Sequence, residues 1–173
     1  VALVQLFAQK EVNVNTKVPC YADDREKTPL HVAAEEGHKE MVLVLVEHFG
    51  ADVNMPDSEG ETALHCSVIR EYDQYGMKSK DDYADTAKVL IRCGADVNMR
   101  NGRGETPLHL SARNEFHKVI DLLIIAGADP YITDNDNNKP IDLVAEDDTV
   151  SKQTLKRAME DREKFAAKLM ELR

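Results

Sequence analysis

The chain has 173 residues, of which 31% are charged and 42% apolar, and a formal net charge of −10. That balance fits a folded chain with no run of 18 apolar residues to span a membrane, and its acidity argues against direct binding of nucleic-acid phosphates, which needs clustered Lys and Arg. Cys20, Cys66 and Cys93 are too few and too scattered for a disulfide framework or a cysteine-based zinc site, so reduced thiols in a cytoplasmic or nuclear setting are expected.

In chain order, Val1 to Asn15 reads as the second helix and exit turn of a unit whose first helix is missing. It lacks an initiator Met and would leave Leu3, Leu6 and Phe7 on an orphan apolar face, so the chain is expected to be cut from a longer protein. No basic region leads into an apolar block, so no signal peptide is read. The link Thr16 to Tyr21 is about four residues longer than the later links.

Then comes Thr28-Pro29-Leu30-His31, followed by Thr62-Ala63-Leu64-His65 and Thr106-Pro107-Leu108-His109. Thr is a good N-cap, and Pro suits the first helical position, where its missing N–H costs nothing. Leu faces the core, small residues such as Ala33 and Ala34 let helices approach, and His can bond both the Thr and the adjoining loop. Gly37-His38 turns the chain into a second helix, whose apolar positions are Met41, Val42, Leu45 and Val46. Gly50 ends that helix in a left-handed conformation, and Gly-Ala-Asp recurs at 50, 94 and 127. A hairpin turn follows at Asp57 to Gly60, and its counterpart is Asn101 to Gly104.

The spacings from Thr28 to Thr62, to Thr106 and to Lys139 are 34, 44 and 33 residues. A period near 33 with this tetrapeptide resembles the ankyrin repeat family over nearly the whole chain. The resemblance implies an all-α solenoid of stacked helix-turn-helix units linked by β-hairpin loops, with a long C-terminal capping helix. The expected division is a partial repeat and irregular link at 1–22, repeats at 23–56, 57–100 and 101–133, and a cap repeat with extended helix at 134–173. The 44-residue unit carries an insertion at about 71–83 that holds Tyr72, Tyr75 and Tyr83; tyrosines on a loop suit a binding surface. In the last unit Lys139 and Asp142 replace the motif Thr and His, as a terminal cap permits. A helix from about Ser151 to Leu172, with Leu155, Ala158, Phe165, Leu169 and Leu172 at 3–4 spacing and Arg162 interrupting, should cap the stack and leave a charged end protruding.

No nucleotide-binding loop, HExxH or GxSxG motif is present. The motif histidines recur one layer apart, about 10 Å, too far to share a metal. No catalytic residue, metal ligand or cofactor is therefore assigned. The hairpin Asp residues are expected to cap turns. What remains is surface recognition. The resemblance implies binding through hairpin tips and the exposed side of each first helix, which maps onto Arg25, Lys27, Glu35 and Glu36. Further along it maps onto Glu59, Glu61, Ile69, Arg70, Arg100, Arg103, Glu105, Arg113 and Asn114, with Tyr72 and Tyr75 added from the insertion. Arg70, Arg100, Arg103 and Arg113 cluster in an acidic chain, and Ile69 offers an apolar anchor. The leading expectation is a monomeric, non-catalytic protein-interaction module, a scaffold, adaptor or inhibitor, whose partner carries an acidic element. Reversing Arg103 and Arg113 should then weaken partner capture without lowering the melting temperature. A nucleotide-sensing regulatory domain of a larger enzyme and a structural spacer are the alternatives.

Overall fold

The computed structural model describes residues 13–19, 25–68 and 80–171. The expected helix at the start of the chain, Cys20 and Tyr21 of the link, Ile69, Arg70, Tyr72, Tyr75 and the final Leu172 lie outside the described residues.

The overlong link forms a short antiparallel ladder, β1 (Val18–Pro19) with β2 (Glu26–Lys27), in register Val18 with Lys27. Helical pairs then follow. The first pair is α1 (Pro29–Glu35) and α2 (Lys39–Glu47), and the second is α3 (Ala63–Cys66) and α4 (Lys80–Arg92). The third is α5 (Pro107–Arg113) and α6 (His117–Ile125). A 3-10 turn at Pro140–Leu143 and α7 (Thr149–Glu171) close the stack. First helices pack on first helices, α1 on α3 and α3 on α5, with the 3-10 turn against α5. Second helices form the other row, α2 on α4, α4 on α6 and α6 on α7. This is the expected two-layer solenoid.

The core is the seam between these rows. Leu64, Leu90, Leu108, Ile120, Leu123 and Leu155 are completely buried, each contributing about 1.5–3 kcal/mol by leaving water. Leu155 is the anchor of α7, and beyond it Glu160 to Phe165 are exposed. Tyr131 Oη donates to Glu163 Oε1 at 2.7 Å, and Arg162 pairs with Asp129 at 2.6 Å. These contacts hold the charged part of α7 against the last Gly-Ala-Asp turn. Met41, read from spacing as a core residue, is instead half exposed, because the buried stripe of α2 runs through Val42 and Leu45.

The insertion reading also needs one correction. Tyr83 is part of α4, not a loop, and stacks edge-on against Phe116 with ring centroids 5.9 Å apart. At 13 residues α4 is longer than the nine-residue α2 and α6, which places Tyr83 on a helix extended at its N-terminal end.

Candidate protein-interaction surface

The hairpins are built by one repeated device. Asp57 Oδ1 accepts the Glu59 and Glu61 amides, each at 2.8 Å. Asn101 Oδ1 does the same for Arg103 and Glu105, and Asp134 Oδ1 for Asp136 and Asn138. Successive tips are joined by main-chain bonds: Ser58 N–H donates to Glu26 C=O, Gly102 N–H to Glu59 C=O and Asn135 N–H to Arg103 C=O. The closest approach needs glycine on both sides. Gly60 has φ +80°, and a Cβ on it would lie 2.8 Å from Gly102 N.

Each motif histidine fastens a hairpin to a helix start. His31 Nδ1 accepts the Thr28 amide at 3.1 Å, and its Nε2–H donates to Glu61 C=O at 2.9 Å. His65 links Thr62 to Glu105 C=O, and His109 links Thr106 to Asn138 C=O, both at 3.1 Å on the carbonyl side. A carbonyl can only accept, so Nε2 carries the proton and Nδ1 is the acceptor. Burial lowers all three pKa values, His65 to about 4, so the rings are neutral braces. In the cap, Asp142 substitutes for His by accepting the Lys139 amide at 2.8 Å.

The residues mapped as a binding surface divide into two sets. Lys27, Glu61 and Glu105 are buried, which corrects the expectation that they face a partner. Lys27 pairs with Glu35 at 2.9 Å, Arg25 with Glu61 at 2.6 Å, and Arg113 with Glu105. Glu61 and Glu105 immediately precede the capping Thr62 and Thr106, and each is paired with an arginine. Asn114 is also engaged, its Nδ2 donating to Val68 C=O at 2.8 Å.

Glu36, Glu59, Arg100, Arg103 and Arg113 remain exposed. Three arginines surround one hairpin. Arg100 Nε donates to Gly104 C=O and its Nη2 to Thr133 C=O, both at 3.0 Å; Arg103 stands at the tip. Neither Arg100 nor Arg103 has a carboxylate partner among the described residues. The Arg100 charge is held in place by carbonyls, and neither charge meets a carboxylate among the described residues.

Arg113 has a structural duty as well, which corrects the expectation that its reversal leaves stability unchanged. Arg113→Glu would set a second carboxylate against buried Glu105. It is expected to lower stability by about 2 kcal/mol, read as the shift in urea midpoint.

One further cluster invites a catalytic reading and does not sustain it. His117 Nδ1 lies 2.9 Å from Ser151 Oγ and 3.6 Å from Asp148 Oδ2. A nucleophilic triad engages serine with one ring nitrogen and the carboxylate with the other; here a single nitrogen faces both. Ser151 N–H donates to Asp148 Oδ1 at 3.0 Å, so the group caps α7. Among the described residues no helix is long and apolar enough to cross a membrane.

Stacked helical pairs, histidine-braced hairpins and glycine-dependent tip contacts define a repeat solenoid. The chain belongs to the ankyrin repeat family: the family profile "Ankyrin repeats (3 copies)" matches residues 1–78 and 75–155. Ankyrin repeats are generally protein–protein interaction modules, and the family is generally non-catalytic. The chain is similar to mouse ankyrin repeat and SOCS box protein 16, with 33% identity over 119 residues, covering 69% of this chain and 25% of that protein. It is 41% identical over 54 residues to potassium channel AKT2/3 of Arabidopsis thaliana, covering 31% of this chain and 7% of the channel. It is 46% identical over 46 residues to mouse Rabankyrin-5, covering 27% of this chain and 4% of that protein. The chain thus spans a quarter or less of the length of each of these relatives.

Proposed function

We propose that this chain is a non-catalytic interaction module that binds a partner protein through the hairpin at 100–104. The partner presents an acidic element there. The observation that carries this reading is the pair Arg100 and Arg103, exposed and without a carboxylate partner among the described residues of a chain with net charge −10. The nearby acids Glu61 and Glu105 are occupied by Arg25 and Arg113, so a partner carboxylate meets little local competition. Arg100 is held by backbone carbonyls, which lowers the cost of ordering its side chain on binding. As a module it acts as scaffold, adaptor or inhibitor, as a monomer, in the cytoplasm or nucleus, where Cys66 and Cys93 stay reduced.

Arg103→Glu separates binding from stability, because the Arg103 side chain makes no hydrogen bond or ion pair among the described residues. Affinity capture followed by mass spectrometry, run with the intact chain and this variant, should show one partner lost from the variant. Affinity for that partner should fall by at least about tenfold, with a steep salt dependence. The melting temperature should not move. Equal capture by both proteins would place the contact elsewhere.

A further inference from the structure

Three hairpins are capped by an Asp or Asn side chain, and its second polar atom is treated differently in one of them. Asn101 Nδ2 donates to Glu105 Oε2 at 3.3 Å. Asp134 Oδ2 accepts from Asn138 Nδ2 at 3.2 Å. Asp57 Oδ2 is buried without a hydrogen-bond partner among the described residues. The residue in the pairing position is Glu61, an acceptor when ionised, so donor and acceptor are matched in two hairpins and mismatched in this one. A further change lies on the adjoining helix. Cys66 occupies the position held by Leu110 and Leu143 in the next units. One carboxylate oxygen from each acid and Cys66 Sγ lie within 4.8 Å of one another, and all three residues are buried.

We propose that Asp57, Glu61 and Cys66 form a binding site for a divalent cation of the zinc class. The donor set is one sulfur and two carboxylate oxygens, which zinc accepts and which hard cations such as magnesium and calcium would not select. Asp57 is positioned by its own turn: Oδ1 is held by two amides, leaving Oδ2 for the ion. Arg25 Nη1 holds Glu61 Oε2 at 2.6 Å, leaving Oε1. Ligand bonds of about 2.0–2.3 Å put tetrahedral donors roughly 3.5 Å apart, so the three atoms need draw together by about 1 Å, within side-chain adjustment. A water takes the fourth position. Binding displaces the Cys66 thiol proton to solvent; the resulting thiolate and two carboxylates exceed the ion's charge by one, which Arg25 offsets.

The competing account is a proton. Burial, and further the Asp57 charge, push the Glu61 carboxyl above its usual range, and a protonated Glu61 would satisfy Asp57 Oδ2 with no metal. Cobalt separates the two. The full chain carrying Cys20→Ser and Cys93→Ser has Cys66 as its only thiol. Titrated with Co²⁺, it should develop a thiolate-to-cobalt charge-transfer band that saturates at one ion per chain and is abolished by added Zn²⁺. Zn²⁺ alone should raise its melting temperature. Cys66→Ala, which keeps a small apolar residue in the seam, should show neither effect. Asp57→Asn, which reproduces the turn built by Asn101, should weaken binding by at least about tenfold. A missing charge-transfer band, or equal zinc stabilisation of Cys66→Ala, would overturn the site and leave the proton as the occupant.

Discussion

His65→Ala is expected to destabilise the fold by about 4 kcal/mol, measured by urea denaturation. His65 is wholly buried in the central repeat and joins Thr62 N–H and Thr62 Oγ1 to Glu105 C=O, which lies 40 residues further on. Alanine leaves these buried groups without partners, at about 1–3 kcal/mol each when unsatisfied, and leaves a cavity in the seam. The loss acts on coupling between units more than on α3 itself, because Glu105 belongs to the next hairpin. In a stack stabilised by neighbour contacts the unfolding transition should therefore broaden as the two halves separate. A loss below about 1 kcal/mol would mean that tip contacts and the apolar seam alone hold the units together.

Acid is expected to reproduce part of that loss without a mutation. An unfolded imidazole takes its proton near pH 6.5, whereas folded His65 takes it only near pH 4, because burial disfavours the charged ring. Between those values the unfolded chain binds more protons than the folded chain. Stability therefore falls as pH drops from about 6.5 towards 4, by roughly 3 kcal/mol from His65, and this group adds no slope above about 6.5. His31 and His109, also lowered by burial, act in the same direction. Glu61 opposes them, since its raised pKa lets the folded state take up a proton earlier. Urea midpoints measured from about pH 8 to about pH 4 should begin to fall near neutrality, before ordinary carboxylates titrate. The His65→Ala variant should show a shallower slope over the same range. An identical slope in both proteins would remove His65 from the explanation.

These predictions concern the part of the molecule that its sequence makes legible. Thr, Pro and His act within one helical turn, and the hairpin residues Asp57, Asn101 and Asp134 act on amides two and four residues ahead, so short-range spacing suffices to read them. Charged residues beside the capping Thr were less legible. Whether Lys27, Glu61 and Glu105 face solvent depends on the side chain opposite, and that can lie far along the chain, as Arg25 does from Glu61, 36 residues away. Spacing alone cannot say that these acids are already neutralised, and so it could not separate Arg103 from Arg113. Tyr83 is hard to read for a related reason: its ring packs against Phe116, which belongs to the next unit. The Asp57, Glu61 and Cys66 group contains a single cysteine and so carries no paired-cysteine spacing. Its signal is the contrast of Asp57 with Asn101 and of Cys66 with Leu110 at the same places in the following repeat.

The central claim, that an acidic partner element binds the hairpin carrying Arg100 and Arg103, is tested most directly by selecting a random peptide library on the intact chain. The selected peptides should be enriched in clustered Asp and Glu, and their affinity for the Arg103→Glu variant should fall by at least about tenfold. Peptides without acidic enrichment, or peptides that bind both proteins equally, would contradict it.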